Sequence, residues 1–180
     1  MKIRSKHTAL IALAAIVLTS CASEQELPYG GKATSEDLEV TVLRVEQGSA
    51  DDLSELQNPD RYASRTPYYV HYRVTKAADG AAKWPDLDVV GDEGRLTYLS
   101  IGPGFPSSTI DADGNVTMEA APEFKACTVD DTDKKDFDSA PKGESYESCG
   151  VYLTDEGGTG PTQVEWLPDS GKGHPIAVWK

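Results

Sequence analysis

The clearest pattern in the chain is a run of alternating positions. Tyr68, Val70, Tyr72 and Val74 interleave with Tyr69, His71, Arg73 and Thr75. A period of two over eight β-branched, aromatic and polar residues predicts a half-buried strand, with His71 and Arg73 on its polar, exposed face. Leu38, Val40 and Val42 alternate with Glu39 and Thr41 in the same way. Shorter runs predict strands at Leu87–Val90, Arg95–Ile101, Val116–Glu119, Phe124–Val129, Ser145–Leu153, Gln163–Leu167 and Ile176–Trp179. Turn chemistry separates them: Gly91-Asp92-Glu93-Gly94, Asp113-Gly114-Asn115 and Asp169-Ser170-Gly171-Lys172-Gly173. Helical signal is confined to Asp51 to Gln57, where Asp51 or Asp52 suits an N-cap and Asn58-Pro59 a stop. That segment lies in a long connection, Ala50 to Thr66, between the first two strands. Many short strands with regular turns predict an all-β sandwich, one face of each sheet packed and the other wet.

The first 20 residues break this pattern. Lys2, Arg4 and Lys6 precede an unbroken apolar run from Ala9 to Leu18, closed by Leu18-Thr19-Ser20-Cys21. A basic head, a short apolar stretch and small residues describe an export signal. Ten apolar residues fall short of the roughly 20 a spanning helix needs. Leu-Thr-Ser-Cys resembles the bacterial lipobox, in which the Cys is acylated and becomes the new N-terminus. The resemblance implies lipidation of Cys21, and a Cys carrying two or three acyl chains stays on a membrane. The expected organisation is a signal peptide over 1–20, a flexible tether over 21–36 and a sandwich domain over 37–180. The tether is polar, Gly-containing and aperiodic, and fifteen such residues reach roughly 20 Å.

Charge narrows the partners. The chain carries −13, and loss of three basic residues with the signal takes it to about −16. Nucleic acid and anionic headgroups would be repelled. Cysteine usage fits an exported chain: apart from Cys21 there are two, Cys127 and Cys149. A disulfide is the natural reading. It closes a loop of about 23 residues and stabilises by ~3 kcal/mol in the chain-entropy account. Two Cys without nearby His do not complete a tetrahedral zinc site, and Cys-x-x-Cys spacing is missing.

Tyr68-Tyr69-Val70-His71-Tyr72-Arg73-Val74-Thr75 resembles the second strand of a bacterial immunoglobulin-like domain of unknown function found in exported lipoproteins of Gram-positive bacteria. Pro141-Lys142-Gly143-Glu144, followed by Gly150-Val151-Tyr152-Leu153, resembles its later turn and strand. The likeness spans roughly 37 to 180, and versions from high-GC species carry a similar Cys pair. It implies an immunoglobulin-like antiparallel β-sandwich without known enzyme activity, and it brings no catalytic residues.

Chemistry-bearing clusters are few. His71 and His174 lack a Gly-x-Ser-x-Gly elbow to serve. Asp111-Ala112-Asp113-Gly114-Asn115 offers oxygen ligands, but its Gly and the following Pro122 break EF-hand spacing, and a hairpin turn explains it. Asp130-Asp131-Thr132-Asp133-Lys134-Lys135-Asp136 reads as a solvated charge run. Glu165 beside Trp166 resembles a sugar-site pairing, though alternation places Trp166 inside and Glu165 outside. Gly102-Pro103-Gly104-Phe105-Pro106 is a loop, with Phe105 folding back onto the sandwich edge. No catalytic residue, cofactor or metal site is expected. The favoured function is a membrane-anchored binding module for an envelope protein or ligand, contacting it through Ala50–Thr66 and the 102–115 region. The alternatives are a cell-wall hydrolase and a calcium-assisted adhesion domain.

Overall fold

Alternating strands assemble into two stacked sheets in a computed structural model, which describes residues 24–56, 58–101, 107–110, 115–119, 124–127, 134–168 and 173–180. The first half contributes β1 (Gln25–Leu27), β2 (Lys32–Thr34), β3 (Leu38–Gln47), β4 (Pro67–Lys76), β5 (Asp86–Gly91), β6 (Gly94–Arg95) and β7 (Thr97–Leu99). The second half contributes β8 (Ser107–Ile110), β9 (Val116–Glu119), α1 (Lys134–Ser139), β10 (Ser145–Leu153), β11 (Pro161–Leu167) and β12 (Ala177–Trp179). One sheet runs β1-β12-β11-β5-β6 and the other β2-β3-β4-β10-β7. Among the described residues all pairings are antiparallel except β1 with β12. β8 and β9 form a separate two-stranded sheet.

The core sits between the sheets because alternation aims one set of side chains from each inward. Val40, Val42, Val70, Tyr72 and Val74 meet Leu87, Val89, Val164, Trp166 and Trp179. Each such side chain contributes about 1.5–3 kcal/mol by leaving water. Tyr152 spans the layers, its hydroxyl donating to the Leu87 carbonyl at 2.8 Å. One end is plugged by aromatic rings. Phe137 on α1 packs edge-on against Tyr146 (4.7 Å) and Trp84 (5.4 Å), and the Trp84 indole donates to the Tyr72 hydroxyl.

Four sequence expectations about the chain's elements need correction. Residues 25–34 are not a free tether: β1 pairs with β12 and β2 with β3. Ala33 is fully buried, Leu27 packs against the core, and the Trp179 indole donates to the Gly31 carbonyl at 2.8 Å. Short apolar anchors suffice where the sheet edge supplies the hydrogen bonds. The 95–101 strand is two pieces. It leaves one sheet after Arg95 and joins the other at Thr97, with the Leu96 N–H bonded to the Val89 carbonyl at the crossing. Phe124 to Cys127 is not strand. Phe124 lies against the Tyr69 ring at 6.1 Å, and Cys127 is tied to Cys149, so the segment crosses a sheet face.

The fourth correction concerns helices. The 51–57 segment is a 3-10 turn over Ala50–Glu55, anchored by the buried Leu53, and a second follows at Pro59–Tyr62. α1 falls at the end of the charge run, because Phe137 is drawn into the aromatic plug. Cys21, expected to be lipidated, residues 111–114, residues 130–133 and the loop at 102–106 lie outside the described residues.

Candidate functional site

Three connections meet at the end of the sandwich where β4 begins and β10 ends. The Ala50–Thr66 connection arrives there, and its last residue is locked to the 154–160 connection. Thr154 N–H donates to the Thr66 carbonyl, and Thr66 N–H donates to Thr154 Oγ1, both at 3.1 Å. The β5–β6 turn, Asp92-Glu93, joins them: a side chain on Gly158 would come within 3.1 Å of the Glu93 carboxylate. Asp51, Asp60, Asp92, Glu93, Asp155 and Glu156 are exposed on this end, together with Arg61. A surface so charged attracts cations and repels anions over about 8–10 Å at physiological salt.

The entry to the Ala50–Thr66 connection is fixed by one carboxylate. Asp52 accepts from the Ser49 N–H (2.8 Å), the Ser49 hydroxyl (3.0 Å) and the Tyr69 hydroxyl (2.8 Å). These donors hold its acid below the usual range, the Ser49 N–H contributing most. Desolvation first, and Asp52 second, push the Tyr69 phenol well above its usual value. Gly48 is required beside them, since a Cβ there would lie 2.5 Å from the Tyr69 ring and 2.7 Å from the Asp52 carboxylate.

A second cluster lies under the disulfide. Cys127 and Cys149 are joined, with Cα atoms 5.5 Å apart, and the bridge ties the 124–127 segment across β4. His71 was expected exposed on the polar face; it is only 8% exposed. On that face Cys149 of the bridge stands opposite His71 on one side and Arg44 on the other, and Phe124 lies against Tyr69, two residues away. His71 Nε2 lies 3.2 Å from a Glu46 carboxylate oxygen and 3.9 Å from the Cys149 sulfur. Burial, then the Arg44 guanidinium, lower its pKa, and Glu46 pulls the other way. Arg44 in turn holds the Glu46 acid below its usual value. A sulfur already spent in a disulfide is no nucleophile, so this pairing does not make a Cys-His catalytic unit.

Glu165 and Asp88 face each other across the β5–β11 ladder, so two carboxylates do share a sheet face. Arg95 reaches both: its Nε is 3.0 Å from Asp88 and its Nη2 3.8 Å from Glu165. Burial raises the Asp88 pKa, with Arg95 opposing and Asp86 and Glu165 adding to it. Arg95 therefore acts as a counter-ion to two like charges, which otherwise repel when directly opposite. Trp166 is buried and Glu165 partly exposed, as alternation predicts. His174 is exposed in its turn, away from the His71 cluster. Among the described residues no group of three or more His, Cys, Asp or Glu is placed to hold a metal ion. Among them, too, no helix is long and apolar enough to cross a membrane.

The fold has structural relatives. A secreted protein from Mycobacterium tuberculosis, MPT63, superposes with a TM-score of 0.50 at 14% identity, covering 88% of this chain and 98% of that one. An uncharacterised β-sandwich protein from Clostridium difficile 630 gives a TM-score of 0.46 at 9% identity, covering 88% and 94%. No family model matches the chain, and no curated protein matches it. The class is that of an immunoglobulin-like antiparallel β-sandwich, and the likeness to MPT63 is one of fold.

Proposed function

We propose that the protein is exported, lipidated on Cys21, and acts on the outer face of the cell membrane as a non-catalytic binding module. The observation carrying this reading is the convergence of three exposed connections at one end of the sandwich, opposite the end where β1 begins. Sandwich loops gathered at one end recur as contact surfaces on rigid frames. The acidic side chains there suit a basic partner, a protein or ligand of the envelope. Export is supported by the basic, apolar and small-residue order of residues 1–21, and by the Cys127–Cys149 bridge, which persists in oxidising compartments.

Crosslinking on intact cells, with the lipidated protein as bait, tests the reading. The Cys21→Ala form serves as mislocalised control, and a second bait carries Asp51→Lys with Asp60→Lys. One partner captured by the native chain and lost from both variants supports it. A partner retained by the charge-reversed bait moves the contact elsewhere. Capture equal to the control overturns the module.

A further inference from the structure

We propose that the protein stands upright on its membrane, with the end carrying Gln25, Ile176 and the Ser35–Asp37 turn pressed to the bilayer and the acidic loops pointing away. This rests on lipidation of Cys21. The sequence suggests a fifteen-residue leash, but the fold consumes most of it. The β1 ladder begins at Gln25, whose N–H donates to the Ile176 carbonyl. Only three chain steps separate Cys21 from Glu24, the first described residue, a reach of about 11 Å at full extension. The polar headgroup layer alone is roughly 5–8 Å thick. Too little chain is left for the sandwich to turn over.

β1 does not peel away cheaply to lengthen the leash. Lys180 N–H donates to the Leu27 carbonyl at 3.0 Å, and the Lys180 ammonium pairs with Glu26 at 2.8 Å. Leu27 packs on the core, so release would also expose apolar surface. The end facing the membrane follows from the ladders. Gln25 is level with Ala177, Ala177 with Trp166, and Trp166 with Leu87. In the other sheet Leu38 pairs with Lys76, and the 77–85 connection carries the chain from there to β5. Glu36, Asp37, Asp79, Lys83 and Lys142 are exposed at that end, so it rests on headgroups without embedding. β4 is ten residues long, which lifts the opposite loops roughly 30 Å further out.

The test uses lipidated protein bound to phosphatidylcholine vesicles and a bulky polyethylene-glycol maleimide. One variant carries Glu36→Cys, at the proposed membrane-facing end, and another Glu156→Cys, at the far end. On vesicles, Glu36→Cys labels about an order of magnitude more slowly than Glu156→Cys, given the short reach of the leash. The two label alike in an unlipidated Cys21→Ser background. A flexible Gly/Ser insert of about fifteen residues between Ala22 and Ser23, reaching ~20 Å, restores labelling of Glu36→Cys. Equal labelling on vesicles, with mass spectrometry showing the lipid in place, overturns the orientation alone. A bare Cys21 thiol in protein from its own host overturns the lipid reading instead.

Discussion

Cys149 stands directly opposite His71 across the β4–β10 ladder, its disulfide sulfur 3.9 Å from His71 Nε2. The bridge that constrains the unfolded chain therefore also dries the face on which His71 lies. Replacing both bridge residues, Cys127→Ser with Cys149→Ser, is expected to cost ~3 kcal/mol in urea unfolding, the loop closed being 22 residues in sequence separation. The same variant lets water reach His71, so its pKa rises towards the ordinary value in an NMR titration. A His71 titration left unchanged would mean that Phe124 and the β3 side chains Arg44 and Glu46 set its surroundings without the bridge.

Acid should weaken the fold through His71. Its pKa is lowered from the ordinary 6.5, chiefly by burial. Above that value His71 is neutral in both folded and unfolded chains, and its contribution is fully present. As pH falls below it, the unfolded chain takes up a proton that the folded chain resists, and stability drops. Melting curves between about pH 5 and 8 are expected to show this slope, and His71→Gln to flatten it. A slope identical in the two proteins assigns the effect to other groups.

Lys76 is 1% exposed, and its ammonium donates to the carbonyls of Gly80 and Asp138 above the Phe137 ring. It ties the 77–85 connection to α1. Lys76→Ala leaves two carbonyls without this donor and opens a hole, a loss of ~2–4 kcal/mol in thermal unfolding. Lys76→Met keeps the stem volume and should lose less. Equal losses would show that filling the space contributes nothing.

The Asp52 hub controls the entry of the proposed contact surface. Asp52→Ala removes the acceptor of Ser49 and Tyr69 and is expected to cost ~1 kcal/mol. Gly48→Ala drives a methyl group into the same ring and carboxylate, with a larger loss. Hydrogen exchange at Ser49–Leu56 should quicken in both, while β10 amides hold their protection. Unaltered exchange in the loop would place its restraint at Leu53 and Thr66 instead.

The strands legible in the sequence are those whose alternation is long or flanked by turns. Tyr68–Thr75, Ser145–Leu153 and Gln163–Leu167 lie within β4, β10 and β11 because one face of each meets the opposite sheet. β1 and β2 were hidden for a physical reason. Three residues carry too little periodicity to register, and their stability comes from partners far along the chain, Ala177–Trp179 and Glu39–Thr41. His71 misled because alternation reports which face a residue is on, not what else crosses that face; the covering segment is held by a covalent bond between distant residues. The odd Leu96, where the chain changes sheets, carries no local mark beyond the Gly94 that precedes it. The Asp88–Arg95–Glu165 group was likewise invisible, since its members are brought together only by register.

Under the proposed lipidation of Cys21, the parallel pairing of β1 with β12 has a mechanical meaning. A pull on Glu24 away from the body acts along the β1 axis, so the bonds from Gln25 to Leu27 are loaded together in shear and cannot be unzipped one after another. The Trp179 side chain, fully buried and bonded to Gly31, backs that ladder from the core side. Tension from the proposed anchor would thus pass through the last strand into the sandwich, at a seam loaded in shear.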